Sequence, residues 1–78
     1  MIISMTKGVQ EKIEHNKNLL TPIHNVISKF QRLEGNSRNI SVLSSDVSVM
    51  KEGNLRIFFT KDRNNNVVIL DIAEKRDL

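Results

Sequence analysis

The sequence contains no cysteine, no tryptophan and no tyrosine. Without cysteine there is no disulfide framework and no thiolate metal site, a pattern that suits a reducing compartment. One proline and three scattered glycines leave no Gly-rich phosphate loop. Aromatic residues make up only 4% of the chain, all of them phenylalanine. No apolar run approaches the length of a membrane span. Met1 to Met5 is apolar but short, and lacks the basic leader and cleavage site of a signal peptide. The expectation is a soluble, cytoplasmic protein with no membrane contact.

What is present is modest but sufficient. The chain has 78 residues, 38% of them hydrophobic, which predicts one domain over residues 1–78 with a small core and a thin stability margin. Twelve basic residues against nine acidic ones give a formal charge of +3. That balance favours an acidic partner such as nucleic acid.

The first half reads as helical. Val9 and Ile13 are spaced four apart within Thr6 to about Lys17, with polar residues on the other faces. A second helix begins with Thr21 as N-cap and Pro22 at the first helical position, where a missing N–H costs nothing. Ile23, Val26, Ile27, Phe30 and Leu33 form its apolar stripe, and Gly35 with Asn36 supplies a stop. The short connection from Asn16 to Leu20 predicts a helical hairpin.

Beyond Gly35 the hydrophobic period changes to two. Ile40, Val42, Val47 and Val49 alternate with polar residues, as in a half-buried strand. Gly53 and Asn54 mark a turn. Leu55, Ile57 and Phe59 share one face of the next strand, with Arg56, Phe58 and Thr60 on the other. Lys61 to Asn66 is a polar turn, and Val67 to Ile72 is apolar on both faces except at Asp71, as in a central strand. The predicted fold class is α+β, a helical hairpin packed on a three- to four-stranded antiparallel sheet. Ile23, Val26, Ile27 and Phe30 are expected to face Leu55, Ile57 and Phe59. Ile2 and Ile3 form a very short opening strand or pack under the sheet.

Few residues carry chemistry. His15 and His24 have no metal-ligand spacing, and the serines at 41, 44, 45 and 48 have no histidine partner in sequence. No cofactor or metal is expected. Arg56 is different, because a cation in mid-strand must be exposed, paired or functional. It is either a solvated or Asp71-paired arginine, or a phosphate-binding one held rigidly by the sheet. Lys75 and Arg76 follow the last strand; they are either a solvated C-terminus or, with the tail folded back beside Arg56 as adjacent antiparallel strands allow, part of the same cationic site. Lys51 lies just before the strand that carries Arg56. Lys61 and Arg63 sit at the opposite end and read as turn charges.

Leu55-Arg56-Ile57-Phe58-Phe59, followed by Val67 to Ala73 and then Glu74-Lys75-Arg76, resembles the RelE/ParE toxin superfamily of toxin–antitoxin systems, over roughly Asp46 to Leu78. The resemblance implies a RelE-like fold and a small cytoplasmic toxin held by a cognate antitoxin, with any DNA operator binding only through that antitoxin. In the RelE branch it implies a ribosome-dependent mRNA endonuclease that inhibits translation. Arg56 and Arg76 would then be the catalytic cations at the scissile phosphate, and Lys51 and Lys75 RNA-binding helpers. Such cleavage drives a 2′-hydroxyl onto the adjacent phosphorus, and cations balance the charge that builds up. An arginine stays protonated and does not supply the base. Two departures stand out. Val47 and Val49 occupy positions where active relatives often carry lysines, and no terminal tyrosine follows Arg76. The alternatives are a ParE-like gyrase inhibitor that does not cut RNA, and an inactive interaction protein.

Overall fold

The computed structural model describes residues 2–31, 40–64 and 66–77. Strand β1 (Ile3–Met5) leads into helix α1 (Lys7–His15), a 3-10 turn (Lys17–Leu19) and helix α2 (Leu20–Gln31). Strands β2 (Ile40–Val42), β3 (Ser48–Glu52), β4 (Leu55–Lys61) and β5 (Val67–Glu74) follow, with a closing 3-10 turn (Lys75–Asp77). The fold is α+β, as expected. Its sheet, however, has five strands in the order β1-β5-β4-β3-β2, and it is mixed, not purely antiparallel.

Both differences have local causes. The opening strand does form: Ile3, Ser4 and Met5 pair in parallel with Val67, Val68 and Ile69. The apolar alternation from Ile40 to Val49 is split in two by a side-chain-stabilised turn. Ser44 Oγ accepts from the amides of Asp46 and Val47, while the amides of Leu43 and Ser44 both bond Val47 O. Serine hydroxyls offer the backbone this alternative to a ladder. Val42 consequently ends its strand exposed, and Val47 lies outside both strands.

The helix boundaries also move. Thr6 opens α1 as its cap by accepting from the Val9 amide, and the helix ends at His15, short of Lys17. The second helix does not start at a Thr21 cap. Asn16 accepts from the Asn18 amide, which starts the 3-10 turn, and that turn runs directly into α2 with Thr21 and Pro22 in its first helical turn. Leu33, Gly35 and Asn36 lie outside the described residues.

The core follows the face assignment read from the sequence. Ile23, Val26 and Phe30 of α2 and Val9 of α1 cluster with Leu55, Ile57 and Phe59 of β4 and Val67, Ile69 and Ile72 of β5. Ile27 packs against this cluster, partly buried. Phe30 meets Phe59 edge to face, ring centres 4.8 Å apart. Opposite this packed face the sheet carries Arg56, Phe58 and Thr60. Between β4 and β5 the ladder shifts at Phe58/Phe59, where one extra β5 residue is accommodated.

β1 covers only the first part of β5, so the rest of that edge needs protection. Helix α1 and its cap Thr6 provide it. The Thr6 amide bonds Ile69 O, Thr6 Oγ1 bonds Leu70 O, and Lys12 Nζ bonds Ile72 O at 2.8 Å. Lys12 also holds Asp71 Oδ1 at 2.7 Å. The Lys12 hydrogen bond, helped by the Ile72 amide and opposed by partial desolvation, holds the Asp71 carboxyl below its ordinary range. Because the folded-state pKa is depressed, the resulting stability is present above the unfolded pKa and disappears as pH falls through the folded value. Both side chains are about half exposed (49% and 55%), so the contribution belongs to the surface-pair scale. Asp71→Asn is expected to cost about 0.5 kcal/mol near neutral pH and nothing once the pH is low enough to protonate Asp71 in the folded state, read as paired urea midpoints. An equal deficit at both pH values would show that charge is not involved.

A candidate phosphate-binding end of the sheet

The β3–β4 register places Lys51 directly opposite Arg56. Like charges opposite each other on a sheet are destabilising. Here neither cation is relieved by a carboxylate partner among the described residues, whose ion pairs are Lys12–Asp71, Lys29–Glu52 and Arg76–Glu74. Arg56 is half-buried, and its Nη1 donates to Gly53 O at 3.1 Å and Leu55 O at 2.9 Å. Those bonds turn the guanidinium back toward the β3–β4 turn and use one nitrogen. The turn itself depends on Gly53, whose φ of 58° is readily adopted by glycine. The Asp71 partner considered for Arg56 is taken by Lys12, and the residue across from Arg56 on β5 is Ala73.

Lys75 and Arg76 do return to this end. The Lys75 amide bonds Asn54 O at 2.7 Å, which carries the β4–β5 pairing past the last strand residue. Lys75 and Arg76 are both exposed and line a cleft of about 490 Å³ with Asn54 and Glu74. Arg56 is not among that cleft's lining residues. The reason is strand alternation. Arg56 pairs with Ala73 on the face away from the helices, whereas Glu74 pairs with Leu55 on the packed face. Arg76 Nε bonds Glu74 Oε2 at 2.8 Å and so leans away from Arg56. The two arginines share an end of the sheet but not a face of it.

Sequence reasoning missed Glu74. It stands next to the Lys75-Arg76 pair, and the signal was its spacing of two from Arg76, which suits a local ion pair where the strand ends. It also missed the helix junction. Asn16, Asn18, Thr21 and Asn25 line a second cleft of about 460 Å³ together with Asn54 and Glu74. The other cations are elsewhere. Lys61 ends β4 at the opposite side, and Arg63 lies in a turn organised by Asp62. Asp62 accepts from the Asn66 amide first, and also from the Asn64 amide and the Asn66 side chain, which keeps its carboxyl below the ordinary range. His15 bonds Glu11 O on its own helix, and His24 is exposed. Val49, where a lysine was considered, is buried in β3 opposite Phe58.

Among the described residues no group of three metal-ligating side chains occurs, and no helix is long and apolar enough to cross a membrane. Comparison with protein-family models, with curated proteins and with solved structures finds no match.

Proposed function

We propose that this chain is a RelE-like toxin of a type II toxin–antitoxin system that binds the mRNA backbone and cleaves mRNA on the ribosome. The observation that carries this reading is the Lys51/Arg56 pair: two cations held opposite each other on rigid strands, with no carboxylate between them among the described residues. A phosphate between them would remove the repulsion and gain two charge-assisted hydrogen bonds. Lys75 and Arg76 add positive charge at the same end. The order of an opening strand, two helices and then paired strands supports the resemblance seen in the sequence. A cognate antitoxin would cover the basic end with an acidic or amphipathic segment. Cleavage would follow the chemistry that the resemblance implies. Arg56 binds a phosphate oxygen. The 2′-hydroxyl loses its proton to a base completed by the ribosome, the 2′-oxygen bonds to phosphorus and the P–O5′ bond breaks. Arg76, once released from Glu74 and turned round the end of the sheet, neutralises the charge until the 5′-oxygen leaves protonated.

A second reading has its own support. Arg76 is engaged by Glu74, and Arg56 already donates to two carbonyls. A chain in this state would bind RNA without cutting it. Induction in a bacterial host without an antitoxin separates the two. The endonuclease reading expects growth arrest and translation-dependent mRNA breaks. Normal growth with intact mRNA, alongside RNA binding in vitro, favours the non-cleaving protein. Arrest with intact mRNA and a DNA-damage response would instead point to a gyrase inhibitor.

A further inference from the structure

The cleft at the helix junction has a composition that differs from the cationic end beside it. Its walls carry amides and carboxylates: Asn25, Asn54, Glu52 and Glu74. Its apolar surface comes from Leu19, Pro22 and Leu55. It contains no Lys or Arg among its lining residues, yet it shares Asn54 and Glu74 with the neighbouring cleft that Lys75 and Arg76 line. Phosphate is therefore disfavoured inside it and favoured at its rim.

The geometry points to a nucleobase site. Resting on the phosphate-binding reading above, a single-stranded RNA would place a phosphate on Lys75 and Arg76 and turn the adjoining base into the cleft. Single-stranded RNA presents unstacked bases whose edges side chains can read. At about 460 Å³ the cleft is large enough for one base and part of its ribose. A base plane would lie on Leu19, Pro22 and Leu55, while amides and carboxylates met its edge.

The chemistry selects among bases. Glu52 is held by Lys29, and Arg76 bonds Oε2 of Glu74, which leaves Glu74 Oε1 to accept. A carboxylate accepts from the exocyclic amino group of cytosine, and the same logic extends to adenine and guanine. Uracil presents a carbonyl at the corresponding edge, which a carboxylate repels. The ligand class is an amino-bearing base in single-stranded RNA.

The cleanest comparison uses two pyrimidines of equal size on the same backbone. Labelled oligocytidylate and oligouridylate of equal length are titrated with the full chain at one low salt concentration. Oligocytidylate is expected to bind about tenfold more tightly, the scale of one good edge contact. Asn25→Ala, at an exposed helix position, and Glu74→Gln should each narrow that ratio. Equal, salt-sensitive binding of both oligomers overturns the base site and leaves the phosphate reading standing. A cytosine preference that neither substitution changes also overturns it, because selection then arises elsewhere. Failure of both oligomers to bind removes the base site and the phosphate reading together.

Discussion

Phe30→Ala is expected to leave little folded protein. Phe30 is completely buried, and its ring packs edge to face on Phe59 at the centre of the joint between α2 and the sheet. Truncating a buried phenylalanine costs about 3–5 kcal/mol through lost transfer energy and the cavity left behind. The aromatic pair adds about 0.5–1.5 kcal/mol beyond area burial. Against a total of about 5–15 kcal/mol for a native domain, and the low end of that range for one this small, most of the margin disappears. Urea denaturation followed by circular dichroism reads this directly. Val42→Ala is the matched control, because Val42 is 75% exposed. A surface change of that kind is expected to stay within about 0.5 kcal/mol. If both variants unfold at the wild-type midpoint, α2 is not packed on β4 as described.

Arg56→Ala is expected to act in the opposite way, removing function without harming the fold. Its side chain makes no ion pair among the described residues, and it stands opposite a like charge, Lys51. Removing it relieves repulsion on the scale of a few tenths of a kcal/mol but gives up its bonds to Gly53 O and Leu55 O, so thermal stability should change little. RNA binding should weaken, and its slope against log salt should fall by about 0.7, the value for one single-strand phosphate contact. Under the proposed endonuclease function, toxicity on induction should be lost, since removing one preorganised donor at a developing charge costs about 10²–10³ in rate. Arg56→Lys keeps the charge but loses the planar fork, and should restore most of the binding and little of the cleavage. Glu74→Gln provides the contrast in sign. It releases Arg76 from its ion pair and should tighten binding to phosphate of any sequence. An Arg56→Ala protein that stays fully toxic would end the proposal for this end of the sheet.

The apolar spacing was a reliable guide to local faces. Ile23, Val26 and Phe30 recur at helical intervals, and Leu55, Ile57 and Phe59 at strand intervals; both sets are buried in one core. Periodicity reports such faces because burial acts on every second or every third to fourth residue along the same element. Boundaries were less legible. Thr21-Pro22 is good capping chemistry, but Asn16 provides an earlier start, and competition between two valid caps is decided by how the chain enters the helix. The five-stranded count was hidden because Ser44 breaks an alternation that continues in the sequence across the break.

The sequence by itself determined an α+β fold, the buried stripe of α2, the buried face of β4 and a set of cations gathered late in the chain. Those follow from local spacing and charge. Tertiary structure alone decided which partners those cations meet. Parallel pairing of β1 with β5 leaves part of the β5 edge to α1, and Lys12 thereby takes Asp71. The β3–β4 register sets Lys51 against Arg56, and strand alternation sends Glu74 and Arg76 away from Arg56. Such pairings depend on long-range register, and a shift of one residue would move each side chain to the other face.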